Sequence, residues 1–122
     1  VLREEPGHDL AALLDEARAA GTPVEASVVE VALPTPAFRI VQEALTNARK
    51  HAPGQPVTLT ITGDPSAGLT IEATNPIVNP SVGDPGVGLI GLAERAELAG
   101  GRVEHAASRG RFVLRAWLPW PV

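Results

Sequence analysis

The chain has 122 residues, 44% of them hydrophobic, with 14 acidic side chains against 10 basic ones and a net charge of −4. That length suits a single domain with one real core, and the acidic balance, with no basic stripe, argues against nucleic acid as a partner. There are no cysteines and only three scattered histidines, so neither a disulfide framework nor a metal-ligand pattern is present; with no apolar run near the roughly 20 residues that span a bilayer and no signal peptide, a cytoplasmic domain is expected.

Residues 1–8 lack a cap and a periodic pattern and read as the end of a linker. From Asp9 to Gly21 a short helix is expected, with Asp9 as N-cap, Leu10, Leu13, Leu14 and Ala17 as the buried stripe, and Gly21 as the stop. Val24 to Val31 alternates well enough for a strand, after which Pro34, Thr35 and Pro36 introduce a second helix with Thr35 as cap. In that helix Ile40, Val41, Ala44, Leu45 and Ala48 recur at helical spacing and require a packing partner. Glu43, Asn47, Lys50 and His51 stand at i, i+4, i+7 and i+8, which gathers a carboxylate, an amide and two bases along one edge. The plain alternative is a solvated face in which Glu43 supports Asn47 and Lys50.

Val57 to Thr62 alternates apolar residues with threonine, and Leu69 to Thr74 repeats the pattern after the turn Asp64-Pro-Ser-Ala-Gly68, so the two are expected to pair as a hairpin. The segment from Asn75 to Pro85 is rich in Pro and Gly and has no period, and a loop this long inside a compact domain is functional or disordered. Gly86-Val-Gly-Leu-Ile-Gly-Leu-Ala-Glu-Arg95 then runs from glycines into a helical pattern, where free N–H groups and the helix dipole favour phosphate. It is neither a Walker A loop nor a dinucleotide fingerprint. Arg102 to Ala107 and Arg111 to Leu118 form a second expected hairpin, with Phe112, Leu114, Ala116 and Leu118 facing inward and Trp117 outward. The order of elements gives an α+β two-layer sandwich with a mixed sheet and helices on one face.

The wording Gln42-Glu-Ala-Leu-Thr-Asn47-Ala-Arg-Lys50-His51 followed by Gly86-Val-Gly88-Leu-Ile-Gly-Leu-Ala-Glu-Arg95 resembles the N and G2 boxes of the GHKL ATPases, which share the Bergerat fold, and looks like sensor histidine kinases of the NarL/DesK type. The resemblance covers essentially the whole chain and implies an ATP-binding catalytic domain over residues 9–122, with an ATP lid at about 75–87. It implies ATP and Mg²⁺ as ligands, with the side-chain oxygen of Asn47 on the ion and Glu43 polarising the histidine that attacks. By the same resemblance Lys50 and His51 lie by the nucleotide, Gly86, Val87, Gly88 and Leu89 cradle phosphate, and Gly110 looks like a remnant of the G3 box or hairpin-turn chemistry. Such a domain transfers the ATP γ-phosphoryl to a histidine on a separate dimerisation domain, and thence to a response regulator of LuxR/NarL type. The parent is expected to be a homodimer and this piece a monomer.

Two departures bear on that reading. His8-Asp9 has the His-acid wording of a phosphoacceptor, but Pro6-Gly7 forbids the long helix such a histidine needs, so His8 is not assigned that role. The family's G1 Asp, which accepts from the adenine amino group, is replaced here by Asn75, and both glycines of that box are missing. A neutral bond contributes about 1 kcal/mol against roughly 1.5–3 for a charge-assisted one, which lowers adenine affinity roughly five- to tenfold. A degenerate nucleotide-sensing module therefore stands as an alternative, with a stand-alone GHKL serine kinase of anti-sigma type as a third reading.

Overall fold

The computed structural model describes residues 9–29, 32–77 and 90–120. Helix α1, Leu10–Ala19, starts where Asp9 Oδ1 accepts from the Ala12 amide at 3.1 Å, and Gly21 closes it at a φ of 101°. Its Leu14 is buried, while Leu10, Leu13 and Ala17 pack partly against the core. Strand β1 covers Val24–Val28. It is shorter than the expected run to Val31: Val29 leaves the strand while still donating to Ile61 O at 2.9 Å, and residues 30 and 31 lie outside the described ones.

Helix α2 spans Thr35–His51 and begins one residue earlier than its sequence suggests. Pro34, extended at φ −68° and ψ 161°, occupies the N-cap position that was expected for Thr35, and Thr35 is already the first helical residue. Pro36 fits because a first-turn residue has no N–H to donate within the helix. The buried face carries Ala37, Ala44 and Ala48 beside Phe38, Ile40 and Val41, and these small side chains let the helix axis lie close to the sheet.

Strands β2 (Val57–Asp64) and β3 (Gly68–Pro76) form the first hairpin, and Asp64 Oδ1 organises its turn by accepting from the Ser66 and Ala67 amides at 2.8 and 2.7 Å. Gly68 is required there, because at φ 87° any Cβ would also meet the Trp117 ring at 2.7 Å. Helix α3 spans Ile90–Leu98, and strands β4 (Arg102–Ser108) and β5 (Arg111–Leu118) form the second hairpin. Its two-residue loop, Arg109-Gly110, has φ of 55° and 77°, the left-handed pair that matches strand twist.

The strands form one sheet in the order β1-β2-β3-β5-β4, parallel between β1 and β2 and antiparallel elsewhere. Leu59 and Ile61 on β2, Leu69 and Ile71 on β3, and Leu114 and Leu118 on β5 all point to one face and are at most 2% exposed. Each contributes about 1.5–3 kcal/mol through burial. The three helices cover that face, α1 against β1, α2 across β3 and β5, and α3 against β4. The result is the α+β two-layer sandwich expected from the alternation. The other face carries Thr58, Thr60 and Thr62, the ion pair of Arg115 with Glu72, and Trp117. Trp117 Nε1 donates to Ala67 O at 2.9 Å and its ring lies 5.6 Å from the Arg102 guanidinium carbon, so the outward position expected for it holds.

Candidate functional site

The polar edge of α2 is not a single edge. Asn47 and His51 are buried, 5% and 3% exposed, whereas Glu43 is half-buried and Lys50 exposed. A simple solvated face is therefore excluded for Asn47 and His51. Positions four apart on an α-helix differ by about 40° around the axis, so the line through Glu43, Asn47 and His51 winds from the accessible side into the packed one. Among the described residues the buried polar side chains are Thr22, Asn47, His51 and Asn75, and three of these four are positions that the sequence motifs single out.

Topology brings these positions to one end of the sheet. Residues 52–56 join the end of α2 to Val57, which pairs with Val24, and the neighbouring Thr58 faces Thr74 on β3, one residue before Asn75. Asn75 in turn opposes Phe112, and Pro76 opposes Arg111. The strand thus continues through Asn75 and Pro76, which the sequence assigned to a loop. Pro76 is tolerated at a strand end because few ladder donors are needed there. Gly110 O accepts from the Ile77 amide at 2.6 Å, which holds the β4–β5 turn against the end of β3. Its φ of 77° makes Gly110 a hairpin-turn residue in its own right.

The polar atoms at this end are set up to receive something. His51 Nδ1 is buried and has no hydrogen-bond partner, a costly state for an imidazole nitrogen unless a ligand or water completes it. Asn75 Nδ2 donates to Pro76 O at 2.9 Å, and with its donor end engaged the amide has its oxygen left to accept. Gly86, Val87, Gly88 and Leu89 lie outside the described residues, as do His8 and most of the expected lid; Ile90, the first residue of α3, follows them directly. Among the described residues no group of three or more His, Cys, Asp or Glu side chains could hold a metal ion.

A second feature escaped the sequence reading. Between α1, α2 and α3 lies a groove of about 580 Å³ whose lining includes Glu43 together with Arg39, Arg49 and Arg95 but none of Asn47, His51 and Asn75. Arg39, Gln42, Thr46 and Arg49 recur at i, i+3, i+7 and i+10, a spacing that could have drawn attention to this face of α2. A smaller recess of about 400 Å³ lies on the outer sheet face around Thr60, Thr70, Glu72 and Trp117. There the hydrogen bond that Arg115 donates to Glu72, together with the charge of that carboxylate, raises the Arg115 pKa above its ordinary value.

A mixed five-stranded sheet covered on one face by three helices is the fold of the ATP-binding domains of histidine kinases. Solved structures of that class share it. The Erythrobacter litoralis EL346 blue-light activated histidine kinase domain superposes with a TM-score of 0.65 at 19% identity, covering 96% of this chain and 65% of that one. A mycobacterial sensor histidine kinase, MprB, gives 0.62 at 23% identity over 93% of this chain and 97% of that one. The histidine kinase domain of the E. coli osmosensor EnvZ gives 0.57 at 24% identity over all of this chain and 94% of that one. The chain spans 40% of the longer EL346 chain. No family model matches the sequence, and no curated protein matches it.

Proposed function

We propose that this chain is the ATP-binding catalytic domain of a sensor histidine kinase of the NarL/DesK type. The observation that carries the reading is the burial of Asn47, His51 and Asn75 at one end of a histidine-kinase-like fold, with His51 Nδ1 unpartnered. The residues fit ATP: Asn75 offers an acceptor oxygen to the adenine amino group, His51 an unsatisfied ring nitrogen, and exposed Lys50 a cation for phosphate. They also fit Mg²⁺: the side-chain oxygen of Asn47 would hold the ion, which would supply charge neutralisation on the phosphates. Gly86, Val87, Gly88 and Leu89 complete the phosphate cradle in this reading.

In the reaction a histidine ring nitrogen on the separate dimerisation domain attacks the γ-phosphorus, the bond to the bridging oxygen breaks, and ADP leaves. Glu43, half-buried on the accessible side of the same helix, is the carboxylate placed to hold the proton of that imidazole. The phosphoryl group then passes to a response regulator of LuxR/NarL type. The parent acts as a homodimer in this account, with this domain on its cytoplasmic side. A second reading has its own support: Asn75 is neutral where the resembling family carries a charge, which favours a nucleotide-sensing module with weak affinity.

Calorimetric titration with a non-hydrolysable ATP analogue, with and without Mg²⁺, tests both. Mg²⁺-dependent binding in the micromolar to sub-millimolar range, lost in Asn47→Ala, supports the kinase reading. No binding at millimolar nucleotide defeats it.

A further inference from the structure

The groove between the helices has its own chemistry. Leu45 and Leu92 are buried at its base and Leu13 and Ala17 partly so, which gives it an apolar floor. Arg39, Arg49 and Arg95 line it with exposed side chains, against Glu16 and Glu43. Among the described residues the ion pairs are Arg18 with Asp15 and Arg115 with Glu72, so none of the three groove arginines has a carboxylate within bridging distance. Cations outnumber carboxylates here in a chain whose net charge is −4, and exposed Lys50 follows Arg49 on α2.

Two further observations describe the occupant. Gly91 lines the groove, and a Cβ built on it meets nothing within 4 Å, so the α3 wall is open to close approach. Leu98, seven residues after Gly91 and so on the same side of α3, is 89% exposed and offers a further apolar contact beyond the groove. The stretch of α2 from Arg39 to Arg49 is about 15 Å long, enough to seat roughly three turns of a partner helix.

We infer that this groove is a docking surface for an acidic amphipathic helix of a partner protein, with apolar side chains over Leu45 and Leu92 and carboxylates on Arg39, Arg49 and Arg95. The inference is independent of nucleotide binding. Guanidinium groups without a carboxylate partner among the described residues, set beside an apolar floor and with Arg39 bonded to the neutral Gln42, give both the attraction and the charge selectivity that such a helix requires.

The test uses the 122-residue chain, isotope-labelled for NMR, and a synthetic helical peptide of about four turns with leucines at i, i+3, i+4 and i+7 flanked by glutamates. A second peptide carries lysines in place of the glutamates. The glutamate peptide is expected to bind at least tenfold tighter, to shift the amides of Leu45, Gly91 and Leu92, and to weaken with salt. Arg49→Glu combined with Arg95→Glu should reverse the preference, and Gly91→Trp, which fills the groove while leaving its charges unchanged, should abolish binding of both peptides. Equal affinity for the two peptides, no binding of either, shifts confined to other surfaces, or self-association of the chain through this face each overturn the inference. An ATP-analogue titration of the wild-type chain runs alongside: peptide binding without nucleotide binding removes the proposed function and keeps the groove, and the converse does the opposite.

Discussion

At residue scale the informative groups are Asn75 and His51, because each is buried and each has one polar atom accounted for differently. Asn75→Asp removes the donor that bonds Pro76 O at 2.9 Å and sets a carboxylate against that carbonyl. The nucleotide-free chain should lose about 1–3 kcal/mol of stability, read by urea denaturation. Adenine affinity should rise roughly five- to tenfold once a charged acceptor replaces a neutral one; an equal or weaker affinity in a calorimetric titration would place the adenine contact elsewhere. His51→Phe separates function from stability in the opposite sense. It deletes an unsatisfied buried nitrogen while keeping a ring, so the apo chain should gain about 1 kcal/mol in a urea melt, while nucleotide affinity falls. A loss of stability instead would mean that Nδ1 is satisfied in solution. The motif residues Asn47, His51 and Asn75 were legible in the sequence as candidates, but their burial was not. A drift of about 40° between positions four apart decides whether Glu43 or Asn47 is covered, and only the packing of α2 on the sheet sets that angle.

At the scale of elements, period and punctuation located every helix and strand that the structure describes. The threonine alternation in β2 and β3 and the inward set Phe112, Leu114, Ala116 and Leu118 all stand as read. What alternation does not contain is a strand's neighbour: it fixes a face, so the insertion of β5 between β3 and β4 and the parallel pairing of β1 with β2 became visible only in the fold. The ends of elements moved for local reasons, Thr35 into α2 because Pro34 already holds the extended cap conformation, and Pro76 into β3 because β5 pairs with it. The second hairpin offers a direct test of turn chemistry. Arg109 is the one non-glycine residue with positive φ among those described, at 55°. Its left-handed conformation costs about 1 kcal/mol relative to a residue that tolerates it. Arg109→Asn creates the Asn-Gly pair that such turns favour and should raise the stability of the chain by about 0.5–1 kcal/mol, measured as the midpoint of thermal unfolding. The change lies on the β4–β5 turn, on the opposite side of Gly110 from Arg111, and no lowering of the midpoint is expected.

On the scale of the whole molecule, the sandwich is one-sided, and the contribution of a leucine depends on which side it occupies. Leu114 on β5 is 0% exposed and sits in the middle strands of the sheet, under α2. Leu98 at the end of α3 is 89% exposed. Truncating the first leaves a cavity that close-packed neighbours cannot refill, so Leu114→Ala should cost about 2–5 kcal/mol, a large share of the roughly 5–15 kcal/mol that a domain of this size has in total. Truncating the second exposes nothing new, and Leu98→Ala should stay within about 0.5 kcal/mol of wild type. Paired denaturant melts of the two variants measure the difference directly, with unchanged slopes showing that both still unfold in one step. Leu98→Ala should nevertheless weaken the acidic helical peptide, since its exposed side chain offers the peptide a further apolar contact beyond the groove, whereas the end of the sheet proposed for nucleotide should not register the change. A leucine whose loss leaves stability intact and lowers partner affinity is a surface kept apolar for contact, and equal behaviour of the two leucines in the melts would contradict the one-sided core itself.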